Sequence, residues 1–213
     1  MLIKVCGMRD AAGIAAVAGL DPGPDMMGFI FYGRSPRNAC STPPEALDVL
    51  PAAIRRVGVF VAAPPVDVLA TARRYRLDLV QLHGEESPEM CARLRAEGLG
   101  VMKAFGIATA ADIARTAAYE GTCDLYVFDT RIPDPASGAP HGGTGRKFDH
   151  RLLEAYRGNT PYLLSGGIGP EDSGAAPADV RCAGFDINSR FETAPGIKKT
   201  ETIKLFIEKI KRP

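Results

Sequence analysis

Short apolar runs alternate with segments of helical periodicity along the whole chain. Apolar residues recur at intervals of three and four in the helical segments, some of which are short, whereas the apolar runs are typical of strands. Eight such strands are predicted: Leu2 to Cys6, Met27 to Phe31, Val57 to Val61, Leu79 to Leu82, Val101 to Ala104, Leu125 to Asp129, Tyr162 to Ser165 and Gly184 to Ile187. At about 27 residues per unit the pattern predicts an α/β fold, a (β/α)₈ TIM barrel, with a doubly wound open sheet as the alternative.

Capping residues predict where several of the helices begin. Asp10 is the expected N-cap of the first helix, and Ser87 precedes a proline, which suits the first helical position. Thr42 and Thr109 are each followed three residues later by an acidic residue, the spacing of a capping box. The weakest predicted helix is the seventh, because segment 170–177 contains two prolines and a glycine.

The clearest amphipathic helix lies near the end of the sequence. Its apolar stripe consists of Ile203, Phe206, Ile207 and Ile210. We interpret the basic residues around it as its solvent-facing side, where cations also suit the C-terminal end of the helix dipole. These residues are Lys198, Lys199, Lys204, Lys209 and Lys211.

Composition narrows the class of protein without naming a function. The 213 residues include 26 Lys and Arg against 25 Asp and Glu, and no linker divides them, so a single domain over residues 1–213 is expected. The near-neutral balance argues against nucleic acid or membrane as partners, and no apolar run approaches the roughly 18 residues of a membrane span. Five unclustered cysteines and the lack of a signal peptide predict a cytoplasmic protein with reduced thiols and no metal site.

Reactive side chains occur at the ends of several predicted strands. In a barrel of this type the active site lies at the carboxyl ends of the strands. Cys6 ends the first strand, Asp129 ends the sixth, Asp186 lies near the end of the eighth, and Arg37 lies in the loop after the second. His83 follows the fourth strand, where we expect it to pack or hydrogen-bond at the rim rather than react.

Three polar, mostly glycine-rich segments follow the last three strands, at residues 142–145, 165–168 and 188–190. Glycine lets an anion approach the main-chain N–H groups closely, and the phosphate site of many barrels lies around strands seven and eight. Together the segments predict a phosphate site.

Six motifs in order give the chain a specific resemblance. Lys4-Val5-Cys6-Gly7 is similar to the opening motif of the phosphoribosylanthranilate isomerase family. The further segments in the order of that family are Ser35-Pro36-Arg37, Gln81-Leu82-His83-Gly84, Phe128-Asp129-Thr130 with Gly142-Gly143-Thr144-Gly145, Leu164-Ser165-Gly166-Gly167-Ile168, and Asp186-Ile187-Asn188-Ser189-Arg190-Phe191-Glu192. The resemblance covers residues 3 to about 192 and departs at Asn188 and Arg190, where the family has a serine and a glycine.

The resemblance implies an isomerase of tryptophan biosynthesis that performs an Amadori rearrangement of N-(5-phosphoribosyl)anthranilate. It makes Cys6 the general base and Asp129 the general acid, and assigns Arg37 to the carboxylate of the anthranilate. A neutral thiol is a weak base, so we expect an environment that favours the thiolate of Cys6, with Lys4 as one source. The remaining implied substrate-binding residues are Gly143, Gly166, Gly167, Asp186, Asn188 and Ser189.

The implied partner is a small phosphorylated molecule, with no cofactor and no metal, and the protein is expected to be a monomer or a homodimer. A phosphoribosyl isomerase of histidine synthesis is a nearby alternative, but its chemistry resembles an aspartate pair, and Cys6 occupies the place of the first aspartate. Indole-glycerol-phosphate synthase is disfavoured because Lys4 lies too deep in its strand. A barrel that only binds phosphosugars is the alternative from another class. For the side chain of Arg190 there are two alternatives, contact with the phosphate and an outward orientation.

Overall fold

The protein folds into a closed barrel of parallel strands. The computed structural model describes residues 1–130, 147–174 and 179–211. Over these ranges eight strands pair in sequence order, and the last pairs with the first. They are β1 Leu2–Val5, β2 Met26–Ile30, β3 Arg55–Phe60, β4 Leu79–Leu82, β5 Gly100–Ile107, β6 Leu125–Thr130, β7 Tyr162–Leu164 and β8 Cys182–Ile187. The predicted (β/α)₈ fold is confirmed.

The connections between the strands mix α-helices with shorter 3₁₀ turns. Within the described ranges the α-helices are α1 Ala11–Ala18, α2 Pro65–Tyr75, α3 Pro88–Ala96, α4 Ala110–Ala114 and α5 Thr200–Lys211. The 3₁₀ turns are Pro44–Leu47, Arg115–Tyr119, His150–Ala155, Pro170–Gly174 and Ser189–Phe191. A small hairpin follows β8, formed by β9 Glu192–Ala194 and β10 Ile197–Lys198. Among these helices none has the length and apolar character to cross a membrane.

The predicted caps hold at three helices. Asp10 accepts a hydrogen bond from the Gly13 amide at 2.8 Å. Ser87 caps α3 ahead of its first-turn proline. At α4 the Asp112 carboxylate accepts from the Thr109 amide at 2.9 Å, which completes the capping box. These local contacts satisfy amides that the first helical turn leaves without intrahelical partners.

The helix predicted after β2 is wrong. Only the 3₁₀ turn Pro44–Leu47 forms there, and the buried Thr42 hydroxyl donates to the Arg9 carbonyl rather than capping a helix. No side chain caps this turn and Pro51 lies close behind, so the segment stops after one turn. In the seventh connection the described residues form the short turn Pro170–Gly174, in agreement with the prediction of a weak helix there.

The interior of the barrel changes from apolar to polar along the strands. Alternate residues of each strand face inward, so a strand contributes every second side chain to the interior. On β4 Leu79 is followed by Gln81, and on β6 Leu125 and Val127 are followed by Asp129. The apolar lower layer consists of Met26, Val57, Leu79, Met102, Ala104, Leu125, Val127 and Leu163. The polar residues therefore collect at the carboxyl ends of the strands.

Candidate active site

A cavity opens at the carboxyl ends of the barrel strands. Together with the space open to solvent at its mouth, it measures about 780 Å³. The structure brings most of the predicted site residues to its lining: Cys6, Arg37, Asp129, Gly166, Gly167, Asp186, Asn188 and Ser189. Gly143 lies outside the described residues.

Cys6 and Lys4 enter the barrel from the same strand. They are two residues apart on and just after β1, so both side chains face inward. Lys4 lies opposite Asp186 of β8 in the strand register, and its ammonium donates to Asp186 Oδ2 at 2.8 Å. Lys4 is fully buried and Asp186 nearly so. A buried ion pair thus forms the floor of the cavity beside the thiol.

The electrostatics of this floor differ from the sequence-based expectation. Burial raises the pKa of Cys6 above its ordinary value, and the nearby Lys4 and Lys198 ammonium groups lower it without overcoming the burial. The prediction of a net thiolate-favouring environment is therefore wrong, although Lys4 acts in the expected direction. Burial also raises the pKa of Asp186, against the charge of Lys4. The charge of Asp186 adds to the effect of burial on Cys6, so Lys4 does not lower the pKa of the thiol below its ordinary value.

Asp129 lies in a short polar chain at the rim. The Gln81 amide nitrogen lies 2.9 Å from His83 Nδ1, and His83 Nε2 lies 3.4 Å from Asp129 Oδ2. His83 thus lies between the two side chains, with Nδ1 toward the Gln81 amide and Nε2 toward Asp129. His83 hydrogen-bonds at the rim as expected, but the sequence did not indicate its contact with Asp129.

The loop after β7 packs directly against Asp129. Gly166 and Gly167 both have positive φ, +77° and +68°, a backbone region that side chains rarely adopt. A Cβ on Gly166 would lie 2.2 Å from Thr130 Oγ1 and 2.7 Å from Asp129 Oδ1. Only glycine fits here, so the backbone of this loop comes close to the cavity and to the carboxyl group.

Arg37 is held by a carboxylate that the sequence analysis left without a role. Its Nε donates to both Glu192 oxygens, at 3.1 and 2.9 Å, and its Nη2 lies 2.8 Å from Glu192 Oε2. Arg37 is 11% exposed and Glu192 is 3% exposed by side chain. Burial alone would raise the pKa of Glu192, but the hydrogen bond from Arg37 and the charge of Lys198 lower it below its usual value.

The interpretation of Lys198 as a solvent-facing residue is wrong. Lys198 lies on β10 opposite Glu192, its side chain is 1% exposed, and its ammonium donates to Glu192 Oε1 at 2.7 Å and to Asn188 Oδ1 at 2.9 Å. The missed signal is the dipeptide Pro195-Gly196, which is typical of a turn and places Glu192 and Lys198 on the two arms of a hairpin.

Arg190 turns away from the cavity. Its guanidinium donates to Glu171 at 2.7 Å, its side chain is 43% exposed, and it does not contribute to the cavity lining. Of the two alternatives for this residue, the outward orientation is the one observed.

Comparison with known proteins places this geometry in a family. A family model described as N-(5'phosphoribosyl)anthranilate (PRA) isomerase matches residues 3–209. The N-(5'-phosphoribosyl)anthranilate isomerase of Parabacteroides distasonis is 44% identical over 217 aligned residues, which cover 100% of this chain and 95% of the relative.

Two solved structures give the same result. Monomers generated from the dimeric phosphoribosylanthranilate isomerase of Thermotoga maritima superpose with a TM-score of 0.79 at 32% identity, covering 99% of this chain and 98% of that one. A phosphoribosylanthranilate isomerase in complex with reduced 1-(o-carboxyphenylamino)-1-deoxyribulose 5-phosphate superposes with a TM-score of 0.77 at 33% identity and the same coverage. Since both sequence and structure match over nearly the full length, the chain belongs to the phosphoribosylanthranilate isomerase family.

Proposed function

We propose that this enzyme isomerises N-(5'-phosphoribosyl)anthranilate with Cys6 as the general base and Asp129 as the general acid. The isomerisation, a step of tryptophan biosynthesis, is the activity of the family. The observation that carries the residue assignment is that the ends of β1 and β6 present a thiol and a carboxyl group to one cavity. A reaction with two proton transfers at neighbouring substrate atoms needs such a pair.

The chemistry divides between the two groups. The Asp129 carboxyl group gives its proton to the ribose ring oxygen, the bond from C1 to that oxygen breaks, and the substrate nitrogen forms an iminium ion with C1. The iminium ion acidifies the C2 hydrogen, which the Cys6 thiolate removes to give an enolamine. The Cys6 thiol then gives its proton to C1 and the Asp129 carboxylate takes the proton of the C2 hydroxyl, which yields the ketone and returns both groups to their starting states.

Two buried oxygens are suited to the hydroxyl groups of the sugar. Asp186 Oδ1 and Gln81 Oε1 are both buried and accept no hydrogen bond from the residues that the structure describes. A buried acceptor without a donor costs free energy, and a substrate hydroxyl would satisfy it. We therefore assign both residues to the ribose part of the substrate.

The remaining parts of the substrate match other regions of the lining. Gly166, Gly167 and Ser189 supply the loops after β7 and β8, where we place the 5'-phosphate together with Asn188. Arg37 takes the anthranilate carboxylate through the guanidinium hydrogens that Glu192 leaves unused. The aromatic ring packs on apolar side chains of the lining: Ile30, Tyr32, Val59 and Val61.

Turnover assays with single variants test the proposal. Wild-type protein is mixed with freshly prepared phosphoribosylanthranilate, and the loss of its fluorescence is followed. Cys6→Ser and Asp129→Asn should each lower kcat by about 10²- to 10⁴-fold, the usual contribution of one general acid or base. Cys40→Ser is the matched control, because Cys40 is exposed and outside the lining. Wild-type kcat in Cys6→Ser would remove the base assignment, and in Asp129→Asn the acid assignment.

The partner, domain organisation, compartment and oligomeric state of the enzyme are also part of the proposal. Its partner is a small phosphorylated molecule, it acts as a single domain in the cytoplasm, and it is a monomer or a homodimer. The odd, unclustered cysteines support the compartment, and the undivided match to the family model supports the single domain. Sedimentation of the purified protein distinguishes the two oligomeric states.

A further inference from the structure

The ion cluster behind Arg37 has more positive than negative charge. Arg37 and Lys198 both bind the single carboxylate of Glu192, and all three side chains are at most 11% exposed. The other buried pair of the cavity, Lys4 with Asp186, is balanced. A buried net charge is costly unless an opposite charge reaches it. While Cys6 is a neutral thiol, the cluster is thus short of one anion among the described residues, on the side that faces the cavity.

The hydrogen bonds define where that anion binds. Glu192 uses the Nε hydrogen and one Nη2 hydrogen of Arg37, so the other three guanidinium hydrogens have no partner among the described residues. Glu192 Oε1 also accepts from Lys198 and from the Gly196 amide at 3.1 Å, so it is fixed from three directions. Because its partner carboxylate is fixed, Arg37 presents its free edge in one orientation.

The hairpin of β9 and β10 supplies this fixation. Glu192 and Lys198 face each other across the two short strands. Lys198 also donates to Asn188, which lines the cavity directly after β8. The Lys198 ammonium therefore connects the hairpin to the residue after β8, and through Glu192 it acts on the guanidinium of Arg37.

We propose that Glu192 and Lys198 are positioning residues that fix Arg37 and make the enzyme selective for substrates whose N-aryl group carries a carboxylate. This inference rests on the proposed role of Arg37. The substrate carboxylate supplies the anion that the cluster lacks, and a neutral aryl group leaves the excess positive charge uncompensated. Selectivity then depends on the hairpin, although neither residue has to touch the substrate.

The test compares two substrates that differ only in that carboxylate, N-(5-phosphoribosyl)anthranilate and N-(5-phosphoribosyl)aniline. The ratio of their kcat/KM values measures selectivity, and effects of Lys198 on the thiol of Cys6 cancel in the ratio. Lys198→Met and Glu192→Asp, which keeps the charge but shortens the reach to Arg37, should each lower the ratio about 10- to 100-fold, mainly through KM for the anthranilate substrate, as expected for a charged hydrogen bond. Lys199→Met is the matched control, since Lys199 is the exposed neighbour.

The outcomes separate this inference from the proposed function. Circular dichroism identifies any variant that fails to fold, and either variant alone suffices for the test. If Arg37→Met loses selectivity but both positioning variants keep the wild-type ratio, the inference is overturned and the role of Arg37 stands. If Arg37→Met also keeps the ratio, the role of Arg37 is wrong and the inference fails with it. A lowered ratio in Lys199→Met would equally contradict a specific role for Lys198.

Discussion

The thiol of Cys6 and the carboxyl group of Asp186 depend on the same counter-charge. Lys4 lies between them, fully buried, and lowers the pKa of each against the opposite effect of burial. The charge of ionised Asp186 also raises the pKa of Cys6, so it opposes formation of the thiolate. The position of the Lys4 ammonium relative to the thiol is thus central to how much thiolate the enzyme holds.

Gly28 on β2 leaves room for the side chains of Cys6 and Lys4. A methyl group added at Gly28 would lie 2.8 Å from Cys6 Sγ and 3.1 Å from Lys4 Nζ, so both groups would have to move. Because a displacement of about 1 Å can cost about 100-fold in rate, we expect Gly28→Ala to lower kcat by that order with little change in KM. Steady-state kinetics checks this. Gly33→Ala is the control, since no described residue lies within 4 Å of its added methyl group. Equal kcat in the two variants would show that Gly28 has no such role.

At the level of secondary-structure elements, the sequence predicts correctly those features that depend on contacts between residues close in the chain. The strands and the caps at Asp10, Ser87 and Thr109 follow from alternation and from side chains that bond to nearby amides. Thr42 has the same pattern, but its hydroxyl donates to the distant Arg9 carbonyl, and a contact between remote segments leaves no periodic trace. The helix after β2 was therefore predicted and does not form.

The candidate site shows the same difference between features set by local sequence and features set by contacts between remote segments. Strand-end positions predict that Cys6, Asp129 and Asp186 meet at the mouth, because all parallel strands end there. The partners of these residues were not predictable in the same way. Lys198 stands beside an exposed lysine and before a helix, so its composition resembles a solvated surface, and only the hairpin turn places it in the interior.

For the molecule as a whole, the near-zero net charge leaves attraction of an anionic substrate to local groups. The formal charge is +1 over 213 residues, which gives no strong long-range field. The excess positive charge of the Arg37, Glu192 and Lys198 cluster lies beside the cavity instead. We infer that charged groups at the mouth of the cavity determine binding selectivity, rather than charges spread over the surface of the protein.

Alkaline stability is a second property of the whole fold. Burial raises the pKa of Tyr126, Tyr156 and Tyr162 above their ordinary value, which is about 10 in an unfolded chain. Above about pH 10 the unfolded chain loses protons that the folded protein keeps, so the free energy of unfolding falls as pH rises. Each tyrosine contributes at most about 1.4 kcal/mol per pH unit.

Removing one of these hydroxyl groups should make the fall less steep. We expect the free energy of unfolding of Tyr126→Phe, measured by urea titration from pH 7 to 11.5, to decline more slowly above pH 10 than that of the wild type. Between pH 7 and 8 the two proteins should show the same slope, which serves as the internal control. Identical slopes above pH 10 would contradict a raised pKa for Tyr126.

The division of labour between Cys6 and Asp129 is tested most directly by a kinetic isotope effect. The measurement is the ratio of kcat for ordinary substrate to kcat for substrate with deuterium at ribose C2, in Cys6→Ser and in Asp129→Asn. If Cys6 removes the C2 proton, this step limits Cys6→Ser and gives it a primary isotope effect. If Asp129 opens the ring, ring opening limits Asp129→Asn and its ratio stays near unity. The reverse pattern, or no effect in Cys6→Ser, would contradict the assignment.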